Sequence, residues 1–160
     1  MMNKNTNVIL LSILLLLVIS VFSAYIIEYG FGHKPCKLCL YQRYPYFISI
    51  FLILNIIFIK KNIKLSLLIL ALVSLIGSII AFYHFGIEQG FFKESLVCAA
   101  GNLSENMTKE ELLKQLSQNS ISCKDVSFRI FGFSLAAINA IFSLILSVIF
   151  TKLFMNYGKN

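Results

Sequence analysis

Charge is what this chain has least of. Of its 160 residues only 13% are Asp, Glu, Lys or Arg, against 58% hydrophobic, and the mean hydropathy is +0.83. That balance excludes an ordinary soluble domain, in which about a quarter of the residues are charged. Long polar stretches are also scarce. Between the apolar runs lie only residues 28–40, the turn KKNIK at 60–64 and a loop at 86–132, which leaves no room for a separate soluble domain. Acidic residues are absent from the N-terminal tail, the KKNIK turn and the C-terminal tail. A second C-x-x-C is missing too, and no histidine lies near Cys98 or Cys123, so a zinc knuckle is excluded and no metal is expected.

What is present is apolar length. Crossing a hydrocarbon core takes about 20 residues of helix, and residues 8–27, 65–85 and 133–154 supply that. Residues 45–59 fall short unless the helix starts earlier, near 41, close to the C-x-x-C. The expected fold is an all-α membrane protein, a single four-transmembrane-helix bundle over residues 1–160. Lys4, Lys60, Lys61, Lys64, Lys152 and Lys159 gather on one side without acidic partners, whereas all seven acidic residues fall on the other. By the positive-inside rule both termini and the KKNIK turn are cytoplasmic and the other two loops lie outside. The pI of about 9.3 then reflects topology and implies no nucleic-acid partner. Lys4 before an apolar run, with small Ser23 and Ala24 after it, has the ingredients of a signal peptide. The run is longer than the usual 7–15-residue signal core, so a retained helix is expected.

All four cysteines, Cys36, Cys39, Cys98 and Cys123, fall on the outer, oxidising side. Four cysteines allow three connectivities, of which the local one, Cys36 with Cys39 and Cys98 with Cys123, is expected at rest. A staple suits Cys98 and Cys123, because it closes a long loop. The small ring of Cys36 and Cys39 would constrain little of the unfolded chain, and C-x-x-C pairs occur where a thiolate is used. At about 100° per residue, Cys36, Cys39 and Arg43 fall within a stripe about 60° wide, near a helix N-terminus that favours a thiolate. Arg43 could otherwise be an interfacial residue snorkelling to headgroups. Pro45 complicates the stripe, because its ring clashes with the Tyr41 carbonyl in a continuous helix, so either a kink there or a helix beginning anew at Pro45 is expected.

In the long loop, Thr108 and Glu111 fit a capping box opening a short amphipathic helix through Leu112, Leu113 and Leu116, suited to lie on the lipid bilayer. Asn102 and Asn106 match glycosylation acceptors, which would matter only in a eukaryote. His84, beside Tyr83, ends the third run, with Glu88 in the turn after it. Tyr25, Tyr29, Tyr41, Tyr44, Tyr46, Phe82, Tyr83, Phe91, Phe92, Phe128 and Phe131 form an aromatic belt, which would equally wall a flat, lipophilic cofactor.

KPCKLCLYQRYP opening the second span, YHFGIEQG closing the third and CKDVSFRIFGFSLAAINA leading into the fourth resemble the disulfide bond formation protein B family of quinone-linked thiol oxidases, over nearly the whole chain. The resemblance implies a bacterial inner-membrane oxidoreductase that supports protein disulfide bond formation. Its partner would be a periplasmic thioredoxin-fold oxidase (DsbA-like), and its cofactor a membrane quinone, ubiquinone or menaquinone. Cys98 matches the cysteine that the partner attacks, with Cys123 as its disulfide mate. Cys36 and Cys39 match the pair that reoxidises them through a transient Cys36–Cys123 bond, with Cys39 facing the quinone. Arg43 matches the arginine beside the quinone headgroup, and His84 lies near a position implicated in quinone binding. A vitamin K epoxide reductase-like protein fits less well, since its C-x-x-C comes late in the bundle. A non-catalytic scaffold with stapled loops would leave Arg43 unexplained.

Overall fold

The computed structural model describes residues 4–93, 123–124, 129–130 and 132–157. Helix α1 (Lys4–Tyr25) ends in a π-turn, Ile26–Gly30. A short helix α2 (Lys37–Tyr41) leads into α3 (Arg43–Phe58), followed by α4 (Ile63–Glu88). Strands β1 (Arg129–Ile130) and β2 (Phe133–Ser134) pair antiparallel ahead of α5 (Leu135–Asn156). Four segments are long and apolar enough to cross a membrane: Asn5–Gly30, Lys37–Phe58, Ile63–Glu88 and Leu135–Asn156. The four-span expectation holds, with shifted ends. The first span runs on past 27, so Glu28 belongs to its terminal π-turn. The third extends to Glu88, which places that carboxylate on the helix instead of in the turn after it. The fourth begins at Leu135, because Phe133 and Ser134 are drawn into the strand pair.

The second span starts earlier than the apolar pattern suggested. Helix α2 begins beside the dithiol, with Cys36 as its N-cap, and the break before α3 falls at Gln42. Pro45 sits in the first turn of α3, where its missing N–H costs nothing and the break relieves Tyr41. A restart before Pro45 is therefore what the ring requires, two residues upstream of the proline itself.

Helix α4 is the spine, packing against both α5 and α3, while α1 lies on α3. Its buried face reads Ser66, Leu67, Leu70, Ala71, Ser74, Gly77, Ser78 and Ala81, a small-residue stripe at helical spacing that lets backbones approach. A Cβ on Gly77 would lie 3.2 Å from the Pro45 ring, which shows how closely α3 comes. Two serines tie α4 to α5 through backbone carbonyls: Ser147 Oγ donates to Ala71 O (3.1 Å) and Ser78 Oγ to Ala140 O (3.0 Å). Away from the cysteines, Leu10, Ile13 and Leu17 of α1 join Ile53, Ile56, Leu67, Leu70, Leu146 and Phe150 in one apolar core. Leu15, Phe22, Phe51, Ile79 and Ile141 face outward and are exposed, as lipid-facing residues are. The turn between α3 and α4 is tight, with Lys60 (φ 54°) and Asn62 (φ 53°) both left-handed.

Candidate redox site

The site lies at the end of the bundle where α2 starts. Cys36 Sγ accepts the Cys39 backbone N–H (3.3 Å), as an N-cap oxygen would. The C-x-x-C spacing is what makes this possible, because the third residue into a helix offers an unsatisfied N–H to its cap. The two sulfurs are 2.9 Å apart. Cys36 and Cys39 stand here as adjacent free thiols sharing a hydrogen, the reduced form of the pair. Cys123 is disulfide-bonded. Cys98 lies outside the described residues, as do the expected helix at 108–116, Asn102, Asn106, Phe128 and Phe131.

Cys36, Leu38, Ile87 and Cys123 form one buried cluster, so the C-x-x-C and Cys123, expected in separate loops, meet against α4. His84 binds them together. It is 3% exposed; its Nε2 lies 3.5 Å from Cys36 Sγ and 3.7 Å from Glu88 Oε1, and the ring also hydrogen-bonds the Cys123 backbone. Negative charge on Cys36 is favoured first by the hydrogen bond from Cys39. The His84 hydrogen bond and charge and the Cys39 backbone N–H act in the same sense. Against partial desolvation, these hold the Cys36 thiol well below its ordinary value of 9.0.

Beside the dithiol opens a cavity of about 400 Å³ between α1, α2, α3, α5 and the end of α4. Its walls are mainly apolar, including Ile19, Ala24, Ile27, Leu135, Ile138 and Phe142. Cys36, Cys39, Gln42, Arg43, His84 and Asn139 are among its polar lining. The predicted stripe is thus realised as a shared cavity wall despite the break at Gln42. Arg43 is not loose there. Its Nη1 donates to Glu28 Oε2 at 2.6 Å, and its guanidinium lies 4.8 Å from the centre of the Tyr25 ring. The π-turn that carries Glu28 is a rare feature that is frequent at functional sites.

Sequence reasoning missed Glu28, Gln42 and Asn139. Gln42 Nε2 lies 3.0 Å from His84 Nδ1, and its Oε1 accepts from Asn139 Nδ2 at 2.6 Å. Asn139 Oδ1 in turn accepts from Tyr46 Oη and from Ser143 Oγ (3.3 Å). The signal available was polarity itself: an amide inside an apolar span is costly unless it has work to do. Cys36, Cys39 and His84 also bring three metal-type donors within 4.8 Å of one another. Two thiolates at about 2.3 Å from a tetrahedral zinc would stand about 3.8 Å apart, so sulfurs at 2.9 Å are set for exchanging a proton or closing a bond.

A helical membrane bundle with a capped, hydrogen-bonded C-x-x-C beside an apolar cavity defines a membrane thiol-redox protein. The sequence profile of disulfide bond formation protein DsbB matches residues 6–153, and the chain belongs to that family. An uncharacterised protein of Rickettsia prowazekii (strain Madrid E) is 30% identical over 159 residues, 98% of this chain and 90% of that protein. The SPbeta prophage-derived disulfide bond formation protein B of Bacillus subtilis (strain 168) is 43% identical over 72 residues, 44% of this chain and 46% of that protein. No solved structure matches.

Proposed function

We propose that the protein is a thiol:quinone oxidoreductase of the bacterial inner membrane that reoxidises a periplasmic DsbA-like partner. The observation that carries this reading is the Cys36–Cys39 dithiol opening on an apolar cavity inside the bundle while Cys123 packs in the same buried cluster. Thiols that served a soluble acceptor would have no use for a lipid-side cavity.

The steps balance as successive exchanges. The reduced partner attacks the Cys98–Cys123 disulfide at Cys98 and leaves with its own disulfide closed, so both electrons now sit on Cys98 and Cys123. Cys123 attacks the Cys36–Cys39 disulfide at Cys36, giving a transient Cys36–Cys123 bond and a free Cys39. Cys98 then displaces Cys36, which regenerates the loop disulfide and leaves the dithiol seen here. That dithiol yields two electrons and two protons as its own disulfide closes. A DsbA-type partner has a potential near about −120 mV, and about 30 mV corresponds to about 1.4 kcal/mol, so the final acceptor must lie well above it.

Ubiquinone or menaquinone fits the residues present: the cavity has room for a flat ring, apolar walls for its substituents and polar donors in the wall that carries the dithiol. When bound, it supplies a two-electron, two-proton sink. Arg43, held in place by Glu28 and Tyr25, would orient and polarise a carbonyl oxygen there, and the sulfurs of the dithiol face the same space. The outer side, on the positive-inside argument, is the periplasm.

The test is anaerobic: purified protein in detergent, a reduced thioredoxin-fold partner and a water-soluble quinone analogue, followed by quinone absorbance. Quinone consumed in step with partner thiols, and stopped by Cys39→Ser or Cys98→Ser, is the expected result. Wild-type protein that leaves both quinone and partner unchanged would overturn the reading in favour of a scaffold.

A further inference from the structure

The end of the bundle opposite the dithiol carries a second opening. A shallow pocket of about 620 Å³ lies where the turn between α3 and α4 meets the end of α5. Lys60, Asn62, Lys64 and Tyr157 supply its polar lining, and Leu65, Leu68 and Phe154 much of the apolar part. Lys60 is left-handed (φ 54°), which costs any residue with a Cβ, so the turn keeps it in the wall against its own backbone preference. Lys64 is fixed from the other side. Its Nζ lies over the Phe154 ring, 5.5 Å from the centre, and ties α4 to the last turns of α5. Tyr157 caps α5, leaves the helical path there and packs against the apolar core.

The two ammonium groups have no acidic side chain to answer them. No Asp or Glu occurs between Glu28 and Glu88 or after Asp125, so every segment that builds this pocket is free of acid. Lys64 also stands in the first turn of α4, whose partial positive charge disfavours a cation. An anion seated between Lys60 and Lys64 would offset both costs. What lies beside the lysines specifies the rest of the ligand. Leu65, Leu68 and Leu72 are 55%, 38% and 51% exposed and share one face of α4, at spacings of three and four, leading from the pocket along the bundle. A soluble anion would leave that apolar lane unused, whereas an acyl chain would lie along it. We propose that this pocket binds one anionic phospholipid, its phosphate between Lys60 and Lys64 and an acyl chain along Leu65, Leu68 and Leu72. Basic pockets between membrane helices on the cytoplasmic side take such headgroups, and the positive-inside argument puts this end in the cytoplasmic leaflet. The inference rests on the four-span architecture and is independent of the thiol chemistry.

The test uses the full-length protein in an uncharged detergent, titrated with phosphatidylglycerol or with phosphatidylcholine of the same acyl chains. Native mass spectrometry counts the bound lipid, and the thermal midpoint follows its effect. One phosphatidylglycerol should stay on each chain and raise the midpoint, and phosphatidylcholine should bind about tenfold more weakly or worse. Lys60→Gln/Lys64→Gln should weaken phosphatidylglycerol binding about thirtyfold, about fivefold for each lysine beside an anionic headgroup. Lys61→Gln/Lys152→Gln removes as much charge from residues that do not line the pocket, and should change affinity by less than about twofold. Equal losses in the two double variants would mean a diffuse basic surface and overturn the proposal, as would equal binding of the two lipids. Displacement of the lipid by excess inorganic phosphate would overturn it in favour of a soluble anion. If the pocket variant does not accumulate folded, Lys60→Gln against Lys61→Gln decides by the same comparison, with a loss of about fivefold expected for the first alone. No readout uses quinone, partner or thiol, so failure of this site and failure of the oxidase reading are separable.

Discussion

The two ends of the bundle are built on different rules. Around Leu10, Leu17, Ile53, Ile56, Leu70 and Phe150, helices meet through apolar shape alone, with single serines making interhelical hydrogen bonds. Around Cys36, His84, Gln42 and Asn139 the side chains are linked by hydrogen bonds, each with a donor and an acceptor. Shape tolerates approximation, since a cavity left by truncation costs in proportion to its size. Hydrogen bonding does not, because removing one partner leaves the other buried and unsatisfied. The difference predicts that substitutions at one end change stability and those at the other change chemistry.

The sharpest break is Cys39→Ser. It should abolish turnover with partner and quinone, to below about one-hundredth of wild type, because no disulfide can close with Cys36. The thermal midpoint in detergent should barely move. Next in size is the pH response of Cys36. An ordinary thiol loses about a hundredfold of its thiolate between pH 8 and pH 6. The lowered pKa of Cys36 means its charge is present at lower pH and is lost only in acid, so its alkylation rate should change no more than a few-fold over that range. Mass spectrometry of alkylated peptides against pH checks this, and a full hundredfold fall would refute it.

Leu70→Ala tests the other end. The residue is fully buried, and its truncation should cost about 2–5 kcal/mol, read as a lower thermal midpoint with Cys36 reactivity unaltered. Arg43→Ala returns to the dithiol end: KM for the quinone analogue should rise about tenfold, while Cys36 alkylation stays as in wild type. Slower alkylation would mean that Arg43 serves the thiol after all. The smallest effect belongs to Ser147→Ala, which removes one bond to the Ala71 carbonyl, about 0.6 kcal/mol for hydrogen bonds between membrane helices.

How far the sequence could be read follows the same division. Four apolar runs announce four spans because lipid imposes length on each segment independently. The dithiol at a helix start was legible because a cap is a local matter, settled within four residues. The break near Pro45 was legible for the same reason, although α2 begins at Lys37 and the restart comes at Arg43. The side-chain network was not. His84 and Gln42 are 42 positions apart and Gln42 and Asn139 are 97, so no spacing rule links them. Glu28 was assigned to a loop, because nothing in an apolar run marks where an α-helix will widen into a π-turn.

The sulfur that caps α2 is also a sulfur that changes oxidation state. In the dithiol it holds the Cys39 amide hydrogen from outside the helix. Once it is covalently joined to the Cys39 side chain, its lone pairs turn with the new bond. The first turn of the second span is therefore fastened differently in the reduced and oxidised forms of the pair. Backbone exchange at one amide, that of Cys39, becomes a gauge of electron occupancy that needs neither dye nor cofactor.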